Sequence, residues 1–124
     1  MESNKKKILV LEDEKALSRA LELKLTHEGF EVKTGINGDD LLSVLSKDKY
    51  SLIICDLLMP KTDGFQVLQL LKDNNMKIPV IVLTNLSQAE DERKVRELGA
   101  VEYFVKSDIP ISEVVEKVKV RIAK

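Results

Sequence analysis

The sequence predicts an α/β fold: a doubly wound, five-stranded parallel sheet with strand order 2-1-3-4-5 and helices on both faces. Three observations predict it. Short apolar runs alternate five times with amphipathic stretches of helical period, the pattern of repeated strand–helix units. The run at 51–56 is apolar on both faces, as a strand buried inside a parallel sheet is. Polar residues fall at or just past the ends of four separated runs, where such a sheet opens its crevice between strands one and three.

Each element has a local cause. Residues 7–12 form strand one. Residues 15–28 form a helix with Leu17, Leu21 and Leu25 at i, i+4 spacing and Ala20 on the same face, ended by Gly29. Residues 31–34 form a short strand, and Asn37-Gly38 a turn. A second helix over 39–47 carries Leu41, Leu42 and Leu45. After strand three at 51–56, Pro60 to Gly64 is a loop, with Asp63 read as turn chemistry. Helix three, from Gly64 to Asp73, presents Phe65, Val67, Leu68 and Leu71. Strand four is Pro79–Thr84. Ser87-Gln88-Ala89-Glu90 has the form of a capping box and opens helix four, which ends at Gly99. Ala89, Val95 and Leu98 are its anchors, so it is expected to be the least firmly held helix. Strand five covers 102–106. A last helix from Pro110 or Ser112 buries Ile111, Val114, Val115, Val118 and Ile122.

With 124 residues the chain suits one domain, 1–124. A net charge of −1 gives no general attraction to nucleic acid or anionic membranes, and no apolar run is long enough to span a bilayer. The charged start, residues 1–7, precedes only four apolar residues and does not fit a secretory signal. The single Cys55 makes no internal disulfide, which suits a cytoplasmic location.

The strand ends carry the functional signal. Glu12 and Asp13 follow Ile8–Leu11, Asp56 follows Leu52–Cys55, Thr84 follows Val80–Leu83, and Lys106 follows Tyr103–Val105. Parallel strands gather these side chains at one edge. Three carboxylates together retain a proton or bind a cation, and a hard divalent ion such as Mg²⁺ suits oxygen ligands. An ammonium and a hydroxyl facing a carboxylate nucleophile are the parts that stabilise a transferring phosphoryl group. Singly, each residue has an ordinary reading: Asp13 as a helix cap, Thr84 as a strand threonine, Lys106 as a surface lysine, Tyr103 as a core aromatic. The combination promotes them.

The segments ILVLEDE (8–14), CDLLMPKTDG (55–64), VLTN (82–85) and EYFVK (102–106) resemble those of response-regulator receiver domains, the phospho-acceptors of bacterial two-component signalling. The resemblance covers essentially the whole chain, and Asp56–Gly64 is its strongest block. It implies a flavodoxin-like (βα)5 fold and a phosphorelay role. Asp56 would accept the phosphoryl group. Asp13, Glu12 and the Leu58 carbonyl would join Asp56 around Mg²⁺. Thr84 and Lys106 would grip the phosphoryl oxygens, and Thr84 and Tyr103 would form the switch. The implied partners are a histidine kinase or phosphotransfer protein and an unknown output partner reading the face of helix four, strand five and helix five. Direct contact with nucleic acid or membrane is not implied. The protein would be a monomer or a weak, phosphorylation-dependent dimer.

Two departures from the family pattern carry expectations. Ser107 replaces the usual proline after the lysine, so the Lys106–Ser107 bond is expected to be trans, in an altered loop. Asn85 replaces a small residue after the threonine. With Leu58 at the mouth, it is expected to restrict water and slow hydrolysis of the acyl phosphate.

Competing functions remain open at this level. A phospho-aspartate phosphohydrolase of the haloacid-dehalogenase type wants a second Asp where Leu58 stands. A flavodoxin-like cofactor binder needs a phosphate loop where Glu12-Asp13-Glu14 stands. A contact-only receiver would not need the full set of site residues. A receiver segment of a longer transcriptional regulator would look the same over these 124 residues.

Overall fold

A computed structural model describes residues 5–123; most of the charged start, and Lys124, lie outside the described residues. The elements run β1 (Lys7–Leu11), α1 (Lys15–His27), β2 (Glu31–Gly35), α2 (Leu41–Lys47), β3 (Leu52–Cys55), α3 (Gly64–Asp73), β4 (Val80–Thr84), α4 (Ala89–Glu97), β5 (Glu102–Val105) and α5 (Ile111–Ala123), with a 3-10 turn at Lys106–Asp108 before α5. All strands are parallel, in the order β2-β1-β3-β4-β5.

Alternation along the strands divides the interior in two. Ile8, Val10, Leu52, Ile54, Ile81 and Leu83 point to one face and meet Leu21 and Leu25 of α1 and Val114, Val115 and Val118 of α5. Their neighbours Leu9, Leu11, Ile53, Cys55, Val80 and Val82 point to the other. There they meet Leu41 and Leu45 of α2, Val67, Leu68 and Leu71 of α3, and Val95 of α4. The central strands β1, β3 and β4 are therefore buried on both faces. Gly29 and Gly99, at φ 98° and 110°, end α1 and α4 in the left-handed conformation that glycine tolerates without strain.

Several local expectations need correction. The α4 cap is Gln88, extended at φ −85° and ψ 142°, with no side-chain capping bond, so Ser87 does not open a capping box. Ala89 is exposed and anchors nothing, leaving Val95 as the buried residue of α4. Asp63, read as turn chemistry, is the true cap: it accepts from Gln66 N at 2.9 Å while Gln66 Oε1 accepts from Asp63 N at 2.9 Å. Helix α2 starts at Leu41 rather than 39, and Leu42 faces solvent. Strand β5 stops at Val105, because Lys106 turns into the 3-10 segment.

Candidate functional site

Backbone register builds the site. Leu11 of β1 pairs with Cys55 of β3, so Glu12 and Asp56 leave adjacent strand ends side by side. Asp56 N donates to Leu11 O at 3.0 Å, and Glu12 N to Gly35 O at 2.9 Å, which extends the ladder one residue beyond each strand. Thr84, the last residue of β4, pairs with Val105, and Lys106 follows at once.

The structure brings Glu12, Asp13, Asp56 and Lys106 together. Lys106 Nζ lies 2.7 Å from Asp56 Oδ2 and 2.9 Å from Glu12 Oε1, with Glu14 Oε1 farther away at 3.9 Å. Glu12 and Asp56 are 3% and 4% exposed, so these are buried charge-assisted contacts. Backbone amides complete the carboxylates: Glu14 N donates to Glu12 Oε2 at 2.9 Å and Leu58 N to Asp56 Oδ1 at 3.1 Å. Asp13 is exposed and sits at the rim.

Burial sets the titration of the cluster. Burial, with the Asp56 charge beside it, pushes the Glu12 carboxyl above the usual glutamate range against the pull of the Glu14 amide and the Lys106 ammonium. Burial acts on Lys106 in the opposite sense, yet its hydrogen bonds to Asp56 and Glu12 together prevail and hold the ammonium charged beyond the ordinary lysine range. Beneath them, Cys55 is wholly buried, and burial with the Asp56 and Glu12 charges keeps its thiol protonated.

Carboxylate oxygens of Glu12, Asp13 and Asp56 lie within 4.8 Å of one another. Three anionic oxygens at a partly open rim fit a hard divalent cation that keeps some of its water, as Mg²⁺ does.

Thr84 ends β4, and Tyr103 lies within the neighbouring strand β5. The Thr84 side chain is fully buried, and its hydroxyl accepts the Leu86 amide at 3.4 Å. The Tyr103 hydroxyl donates to the Leu86 carbonyl, and its ring packs on the α2–α3–α4 side of the core. Leu86 thus links the two through its own peptide groups. Burial, reinforced by Asp91 and Glu92, raises the Tyr103 phenol, so it stays a donor. The Lys106–Ser107 peptide is trans, as the absence of proline led us to expect. Leu58 and Asn85 are both exposed.

Residues 8–119 match the response regulator receiver domain family. The chain belongs to that family and is a receiver domain of the two-component response regulators. It is 43% identical over 110 residues to the probable transcriptional regulator ycf27 of Pyropia yezoensis, covering 89% of this chain and 45% of that protein. It is 36% identical over 113 residues to the transcriptional regulatory protein PcoR of Escherichia coli, covering 91% and 50%. The chain spans about half the length of the curated relatives it matches. The receiver domain of the Francisella response regulator 1452 superposes with a TM-score of 0.88 at 26% identity, covering 95% of this chain and 97% of that one.

Leu86, Glu14 and Leu58 contribute amides and carbonyls. Any residue's backbone can supply these whatever its side chain, so only the family pattern pointed to Leu58, and nothing in the sequence marks Leu86 or Glu14.

Proposed function

We propose that the protein is a phospho-accepting module in which Asp56 takes a phosphoryl group from a histidine kinase or a phosphotransfer protein. An Asp56 carboxylate oxygen bonds to phosphorus as the P–N bond of the donor phosphohistidine breaks, and the imidazole nitrogen leaves with the electron pair. The product is an acyl phosphate. The observation that carries this reading is the buried contact of Lys106 with Asp56 and Glu12 at the strand ends, with Asp13 at the rim.

Glu12, Asp13, Asp56 and the Leu58 carbonyl would hold Mg²⁺, which supplies positive charge against the phosphoryl oxygens. Lys106 neutralises the remaining charge, and the Thr84 hydroxyl donates to a phosphoryl oxygen once it exchanges its contact with Leu86. Thr84 and Tyr103 both engage Leu86, so that exchange biases the surface of α4, β5 and α5 toward a partner. Leu58 and Asn85 narrow the mouth and slow hydrolysis. The reading places the protein in the cytoplasm, as a monomer or a weak phosphorylation-dependent dimer. The catalysis is limited to its own phosphorylation and dephosphorylation.

A more particular reading, that residues 1–124 are the single receiver domain of a longer transcriptional regulator, is supported by the transcriptional regulators it matches over about half their length. Incubation with acetyl phosphate should label wild type only with Mg²⁺, at the peptide containing Asp56, with a lifetime well beyond seconds at room temperature. Asp56→Asn should not label. Stoichiometric labelling of that variant would reject Asp56 as acceptor, and a lifetime of seconds would reject the restricted mouth.

A further inference from the structure

The connection between β3 and α3 carries Asp56 at its start and Leu58 two residues on. Its ends are fixed. Gly64 N donates to Leu57 O at 3.2 Å, and Asp63 caps α3. Its middle is less constrained: Leu58, Pro60 and Lys61 are exposed, and Lys61 has φ 65°, a left-handed conformation that costs a non-glycine residue energy.

The neighbouring β2–α2 connection holds that middle in place. Asn37 Oδ1 accepts from Asp39 N at 2.9 Å, which fixes the turn. Asp39 Oδ1 then accepts the Thr62 hydroxyl at 2.5 Å. Gly38 lies flush against the same place, since a Cβ there would stand 2.6 Å from Val67 Cγ2 and 3.2 Å from Thr62 Cγ2. Lys61 Nζ is 3.8 Å from Asp39 Oδ2, but with a side chain 70% exposed it adds little. Among the described residues, the Thr62–Asp39 contact is the one hydrogen bond joining residues 58–62 to a distant part of the chain.

We propose that Asp39 and Thr62 are positioning residues that hold the Leu58 segment in its metal-binding arrangement. This rests on the function proposed above. The Leu58 carbonyl is a proposed ligand, so a loop that relaxes loosens its hold on the ion. The effect is on ion affinity and leaves the chemistry of Asp56 in place.

The test measures Mn²⁺ binding to the full chain by electron paramagnetic resonance, with Mg²⁺ as competitor. Asp39→Ala and Thr62→Val should each weaken binding by about tenfold, the scale of lost outer-sphere support. The double variant should be no worse than either alone. Asp39→Asn, which keeps an acceptor for Thr62, should stay close to wild type. At saturating Mg²⁺ all four should label with acetyl phosphate at the wild-type rate. If Asp39→Asn weakens binding as much as Asp39→Ala while Thr62→Val does not, the Asp39 charge acts from a distance and the positioning role is wrong. Unchanged binding in every variant also overturns it, with the phospho-acceptor reading intact. Failure of wild type to bind either ion overturns both.

Discussion

At the scale of single residues, Glu12 sets stability against chemistry. Its carboxyl is buried, and burial lifts its proton affinity in the folded state above that in the unfolded chain. The folded state then binds more protons across that interval, so stability falls as pH rises through the raised value and is fully present below the ordinary glutamate range. Glu12→Gln removes that decline. Chemical denaturation should find the variant more stable than wild type at pH 7 and nearly equal to it at pH 4, while Mg²⁺ binding weakens. An unchanged pH profile would contradict the buried-carboxylate account. The acids and Lys106 were legible in the sequence because each works through its side chain and follows an apolar run that fixes where it emerges. The contacts of Leu86 and Glu14 were not, because they use peptide groups.

At the scale of elements, α4 has fewer fixed points than its sequence suggested. Val95 is its buried anchor, and its cap makes no side-chain hydrogen bond. Its Arg93–Glu97 and Arg96–Glu92 pairs, both at 3.0 Å, lie on the surface and are worth a few tenths of a kcal/mol each. Lys94 adds a contact with the Phe65 ring of α3, 4.7 Å from its centroid. Helix α3 buries Val67, Leu68 and Leu71 and has a complete capping box. Amides of α4 should therefore exchange with solvent deuterium well before those of α3, and Val95→Ala should cost about 2 kcal/mol in urea unfolding. Equal protection of the two helices would refute this. The cap of α4 was misread because Ser87 and Glu90 have the spacing of a capping box, and spacing alone does not fix where the chain turns helical. The reverse error at Asp63 has the same root: Asp-Gly signals a turn, and here Asp63 caps the helix that Gly64 begins.

At the scale of the molecule, the parallel sheet and its two covered faces were readable because apolar runs and helical periods repeat five times, while the strand order also drew on the resemblance to receiver domains. The close approaches that lock the layers were less so. Gly64 is one of them: a Cβ there would stand 2.5 Å from the Asp56 carbonyl oxygen and 2.7 Å from Leu57 Cα. Gly64→Ala must push α3 away from the end of β3, at a cost of about 2 kcal/mol. Because the displaced atoms belong to the backbone of Asp56, the proposed acceptor, and its neighbour Leu57, labelling by acetyl phosphate should fall along with the unfolding midpoint. A variant stable and labelled like wild type would show that the layers have slack.

The sheet also partitions the interior, with α1 and α5 packed on one side and α2, α3 and α4 on the other. Tyr103 and Val95 belong to the second compartment. Because β5 closes one edge of the sheet, the α4–β5–α5 surface straddles that margin and draws one helix from each compartment.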